Sequence, residues 1–201
     1  AEEAIASVDI FLFERYGDIQ AFSKSETIIE YLQTKNIDFE QRIKNQFEGL
    51  QSIYGSWEDL SVIDVSGRVV VSTGLDKQET NLLSKNDTHK DLFQKSLDGK
   101  VVYSDFFYSG RFNDYTLVFM SPIRNDSNQV IGVLQGHVNW PVVIENLRIS
   151  HIKDFHLLNK DGYEIASAEN RAALEHNLSS ERYFKEAKQG RSFTLKGKGI
   201  G

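Results

Sequence analysis

The sequence predicts an α+β protein: a long N-terminal helical arm, then two tandem units built on antiparallel sheet, the second of them incomplete. Three observations carry this. Over residues 2–54 apolar side chains recur at intervals of three and four. From Leu60 the period falls to two and β-branched residues dominate. Finally, one order of strand, glycine turn, strand and short helix occurs twice in the chain.

The helical arm, residues 1–54, is the first segment. Ile5, Val8, Leu12, Tyr16, Ile19 and Phe22 form one stripe, and Ile28, Ile29, Tyr31 and Leu32 continue it. Such spacing marks a helix with one buried side. Gly17 is a costly residue inside a helix, so a packing reason or a bend is expected there. Ser25 precedes Glu26-Thr27-Ile28 and reads as a helix restart. A further helix is expected over Asp38 to Ile53, with Phe39, Ile43, Phe47 and Leu50 on its apolar side.

The second segment, residues 55–149, begins with strand. Leu60 to Val65 and Arg68 to Thr73 flank Ser66-Gly67, the pattern of a hairpin. The polar stretch 74–88 reads as loop. Lys90 to Gly99 reads as a short helix. A strand from Val101, a turn at Ser109-Gly110 and a strand from Tyr115 to Pro122 follow, all crowded with aromatics. Asn125 to Asn128 is a turn, Val130 to Trp140 a strand, and Val142 to Ile149 a short helix.

In the third segment, residues 150–201, the pattern repeats. Phe155 to Asn159, the Asp161-Gly162 turn and Tyr163 to Ser167 form a second hairpin. Phe184 to Gly190 then keeps the spacing of Phe93 to Gly99. No counterpart to the strands of residues 115–140 follows, so the chain reads as a piece of a longer protein.

Composition narrows the function. The chain has 201 residues, 40% hydrophobic and 26% charged, with a net charge of −6. That balance is globular, and it lacks the basic face of a nucleic-acid binder. The absence of cysteine excludes disulfides, thiolate catalysis and cysteine-held zinc. His151 and His156 around Asp154 are too few ligands for a metal centre. No nucleophile elbow, zinc-protease helix or phosphate loop is present, so neither an enzyme nor a resident cofactor is expected.

The order of several short words resembles a double-Cache sensor domain, whose units are PAS-like. They are Val62-Ile63-Asp64-Val65-Ser66-Gly67, Asp91-Leu92-Phe93 through Gly99-Lys100, Ser104-Asp105, Ser121-Pro122-Ile123 and Val130 through Gly136. Phe13 to Phe22 resembles the membrane-adjacent helix of bacterial methyl-accepting chemotaxis receptors. The resemblance implies an extracytoplasmic (periplasmic) ligand sensor anchored in the inner membrane by segments outside this chain. It implies a chemotaxis output, or alternatively a histidine kinase or diguanylate cyclase. It places the ligand in the membrane-distal unit, residues 55–149, with residues 150–201 as a partial membrane-proximal unit.

In the amino-acid-binding subset, an Arg-x-Trp word, a Tyr-x-Asp word and a last-strand Asp hold the ligand. The corresponding places here are Lys90-Asp91-Leu92, Phe107-Tyr108-Ser109 and His137. Both aspartates are lost, which disfavours an ammonium group, because a buried cation needs a carboxylate partner. Lys90 and His137 instead suit a small organic anion. The aromatic strands add Tyr103, Asp105, Phe107 and Ser109, taken as one face by alternation, with Tyr115 and Phe119. These eight residues are the expected ligand site. A homodimer through the N-terminal helix is also expected. The rival reading is a module that binds a periplasmic protein instead of a small molecule.

Overall fold

The computed structural model describes residues 2–74, 87–149, 156–167 and 175–189. Its N-terminal layer is helical: α1 (Glu2–Phe22), α2 (Glu26–Thr34) and α3 (Ile37–Tyr54). Val8 and Ile19 of α1 are buried, and Leu12, Tyr16 and Phe22 pack partly buried beside them. Helix α1 runs unbroken through Gly17, where a Cβ would meet nothing within 4 Å, so close packing does not explain that glycine. Ser25 does precede α2, in extended conformation, and its hydroxyl donates to Gln46 of α3 at 3.4 Å. Asn36 caps α3 by accepting from the Asp38 amide at 3.0 Å, satisfying one of the helix's free donors.

The helices cover one face of a five-stranded antiparallel sheet in the order β2-β1-β7-β6-β3. The strands are β1 (Trp57–Asp64), β2 (Val69–Ser72), β3 (Val102–Tyr103), β6 (Val118–Arg124) and β7 (Val130–Val138). Leu60, Val62, Phe119, Ile123 and Leu134 meet Ile19, Ile28, Ile43 and Phe47 on the helix side. Gly132 and Gly136 let the helices come close. A Cβ on Gly136 would lie 2.5 Å from the Trp57 ring. On the other face, Ile63, Val69, Val118, Met120 and Val133 pack on Leu92 and Phe93 of α4 (Asp87–Leu97). Both faces are therefore covered, which is why seven of the eight β1 residues are buried.

The aromatic stretch differs from the expected pair of long strands. It is cut into four pieces. Strand β3 pairs with β6 in the main sheet, while β4 (Phe107–Ser109) and β5 (Asp114–Thr116) form a separate hairpin. Tyr103 and Phe107 therefore belong to different sheets, and alternation does not carry one face from 103 to 109. The cause is local. Ser104 exchanges bonds with Val118, its amide donating to the carbonyl and its hydroxyl accepting from the amide, which ends the ladder there.

Beyond β7, Trp140 begins α5 (Trp140–Ile149) and does not extend the strand. Its indole donates to the Ile165 carbonyl at 2.9 Å, tying α5 to a second hairpin of β8 (His156–Leu158) and β9 (Glu164–Ser167). A last short helix, α6 (Arg182–Ala187), follows. The repeat seen in sequence is visible in the two hairpin turns. Asp64 and Asn159 each accept two or more amides with their side chains, and Gly67 and Gly162 follow at φ 84° and 85°. Positive φ at that place favours glycine. Part of the 74–88 loop, together with His151, Asp154 and Gly190, lies outside the described residues.

Candidate functional site

A polar cluster interrupts the apolar α4-side face of the sheet. Strand β1 supplies Asp59 and Ser61, and β7 supplies Gln135 and His137. Register sets Asp59 opposite His137 and Ser61 opposite Gln135. A bulge between Trp57 and Asp59 makes this possible. It puts Trp57 on the helix face and turns Asp59 to the other side, although the two are two residues apart. Helix α4 contributes His89. The tip of the β4–β5 hairpin folds over with Arg111 and Phe112, and Phe107 comes from β4.

These side chains touch. The His89 and His137 rings lie 5.8 Å apart, Phe107 packs 5.3 Å from His89, and Phe112 packs 5.0 Å from His137. Arg111 lies 4.7 Å over Phe112 and pairs through Nη1 with Asp59 at 3.3 Å. Asp59 is wholly buried and its oxygens are occupied. They accept from Ser61 at 2.6 Å, Ser72 at 2.8 Å, Thr73 at 3.2 Å, the Gly74 amide at 2.9 Å, and Arg111.

Electrostatics follow from this burial. Burial disfavours the Asp59 anion, but Arg111 and the Ser61 and Ser72 hydroxyls outweigh it, so its carboxyl is held below the ordinary value. Burial drives His137 down to about 3 against the pull of Asp59, with His89 and Arg111 adding to the depression. Burial also lowers His89. Both imidazoles are neutral at pH 7. Gln135 Nε2 lies 2.9 Å from His137 Nε2, so with the amide donating, the His137 proton sits on Nδ1.

Five atoms of this cluster are buried and find no hydrogen-bond partner among the described residues: His89 Nε2, Arg111 Nε and Nη2, Gln135 Oε1 and His137 Nδ1. Each such orphan costs about 1–3 kcal/mol, and buried polar groups are normally paired. Arg111 Nε and Nη2 are one edge of the guanidinium fork, the edge that matches a carboxylate with two parallel N–H groups.

Of the eight residues expected from sequence, His137 and Phe107 meet in this cluster. Lys90 is exposed in the first turn of α4, while its neighbour His89 is buried. Ser109 is buried in the β4–β5 hairpin opposite Asp114, and Tyr115 packs between Phe106 and Tyr108. Tyr103, Asp105 and Phe119 lie elsewhere, in an open cleft beside α1. Asp105 meets Lys160 there at 3.0 Å. Sequence reasoning missed Asp59, His89, Arg111, Phe112 and Gln135. The carboxylate in the cluster is Asp59 of β1, whereas Asp105, the acid expected from sequence, lies in the cleft beside α1. Strand β1 carries Glu58, Asp59 and Asp64, so its sequence alone does not single out Asp59. Among the described residues no group of three His, Cys, Asp or Glu side chains could hold a metal.

The architecture is shared with extracellular sensor domains of known structure. The extracellular domain assigned to histidine kinase vpHK1S-Z8 matches with a TM-score of 0.71 at 15% identity, over 98% of this chain and 82% of that one. The sensory domain of the Campylobacter jejuni chemoreceptor Tlp3, with isoleucine bound, matches at 0.65 and 14%, over 90% and 74%. The sensor domain of the V. cholerae histidine kinase DctB matches at 0.65 and 13%, and this chain spans 63% of its length. At such identities the likeness shows the fold. No protein-family model and no curated protein sequence matches.

Proposed function

We propose that this chain is the extracytoplasmic ligand-sensing part of a bacterial signalling receptor, and that it binds a small organic anion in the α4-side cluster. The observation that carries this is that five buried polar atoms of this cluster, contributed by three elements and including Arg111 Nε and Nη2, find no partner among the described residues. A carboxylate would complete the Arg111 fork. The neutral His89 and His137 and the Gln135 amide would orient the rest of the guest. An ammonium group gains little here, since every acceptor position of Asp59 is taken. The shared fold supports the sensor reading. The ligand would act from residues 55–149 upon the arm, residues 1–54, with 150–201 as a partial second unit. The output is a chemotaxis receptor, and the receptor is a membrane-anchored dimer through α1. No helix among the described residues is long and apolar enough to cross a membrane.

A thermal-shift screen of organic acids, amino acids, purines and polyamines tests this. Ligand at about 100 times its Kd stabilises by about 2.7 kcal/mol, several degrees in a domain of this size. The expected result is a carboxylate hit that Arg111→Lys abolishes and Lys90→Ala leaves intact. Lysine keeps a charge against Asp59 but lacks the fork. A folded protein that no carboxylate stabilises, or a hit indifferent to Arg111→Lys, overturns the reading.

A further inference from the structure

We propose that the open cleft between α1, the β3–β4 link and the β8–β9 hairpin is a second binding site, and that it takes an amphipathic organic cation of the arylalkylamine or quaternary-ammonium kind. The cleft has a volume of about 570 Å³. That is the size of a small-ligand site, typically about 300–1,000 Å³. It shares no residue with the Arg111 cluster.

Its floor is aromatic. Phe106, Phe119 and Trp140 are each less than a tenth exposed, and Phe106 meets Trp140 edge-on at 4.7 Å. Its rim is aromatic too, with Phe13 77% and Tyr103 64% exposed. The neutral polar groups near the floor are already engaged. The Trp140 indole donates to Ile165, and the Ser104 hydroxyl accepts from Val118. Among the described residues, the charges that remain on the lining are two carboxylates, Asp9 and Asp105, and none of the lining side chains is cationic. Lys160 reaches Asp105 from outside, but its side chain is 73% exposed, so that pair is a weak surface contact.

Aromatic rings with carboxylates at the edge are what a cation with an apolar body requires. The rings attract it through their quadrupoles and cover its hydrocarbon, and the acids set the sign of the field. An anion would meet those acids. A neutral guest of equal shape would gain the burial and lose the electrostatic part.

Phenethylammonium, 2-phenylethanol and phenylacetate are one shape in three charge states. Each is titrated calorimetrically into the full 201-residue chain, with Trp140 fluorescence as a second signal. Phenethylammonium should bind saturably, at least about tenfold more tightly than the other two. The Asp9→Asn, Asp105→Asn double variant, altered only at the surface, should shrink that preference below about threefold. Arg111→Lys should leave it unchanged. Equal affinity for the three probes, no saturable binding by the folded chain, or a preference that survives the double variant would each overturn the proposal. So would loss of binding in Arg111→Lys, which would place the probe in the other cluster. A failed carboxylate screen leaves this result standing, because the two sites have no residue in common.

Discussion

His137 stands opposite a buried carboxylate yet is held neutral, because burial outweighs the attraction of Asp59. That has a sign in stability. Below its ordinary value of 6.5 the unfolded chain takes up a proton that the folded chain refuses until about pH 3. Stability therefore falls as pH drops from 6.5 towards 3, by up to about 1.4 kcal/mol per pH unit. His89 acts in the same direction. Asp59, whose pKa is lowered, adds its loss only as pH falls below its ordinary 3.8. Urea midpoints at pH 7.5, 6 and 5 should decline in that order, and His137→Gln should flatten the slope. Arg111→Gln should cost about 3 kcal/mol, since it leaves Asp59 as a buried charge without its counter-ion. How far these residues were legible differs for a physical reason. Position along the last strand marks His137. Arg111 sits in a hairpin tip, where arginine is ordinarily solvated, and only the fold brings it back over the sheet. Lys90 and His89 are neighbours on one helix, and the periodicity of α4 alone does not reveal which of them the hairpin covers.

At the scale of elements the helical arm was plain in the sequence, because three- and four-residue spacing over 50 positions has no strand counterpart. The aromatic strands were not. No glycine or proline marks residues 104–106, and the break comes with a side-chain bond between Ser104 and Val118. Two glycines show how the same residue type means different things. Gly136→Ala would force a methyl group to 2.5 Å from Trp57 and 3.2 Å from Ile19, both buried. It should destabilise by about 1–3 kcal/mol, read as a lower urea midpoint with unchanged slope. Gly17→Ala meets nothing and removes a poor helix former, so it should stabilise by about 1 kcal/mol. A fall in stability there would mean that the outer face of α1 is packed in solution.

For the whole molecule, one sheet carries two environments back to back. The helix side is apolar, opens on the cleft beside α1, and includes Ser23 of α1 bonded to Ser121 of β6 at 3.0 Å. The α4 side is apolar at one end and polar at the other. Phe106 and Phe107 join the two. They are consecutive, yet Phe106 packs on Trp140 in the cleft beside α1, while Phe107 packs on His89 in the polar cluster. A single peptide unit thus has a bulky anchor on either side, and it cannot rotate to suit one without displacing the other. If each holds a guest and this link couples them, the affinity of either changes with the presence of the other by the same factor in both directions. Titrating each in the presence and absence of its counterpart would measure that factor, and replacing Phe107 by alanine should bring it to one.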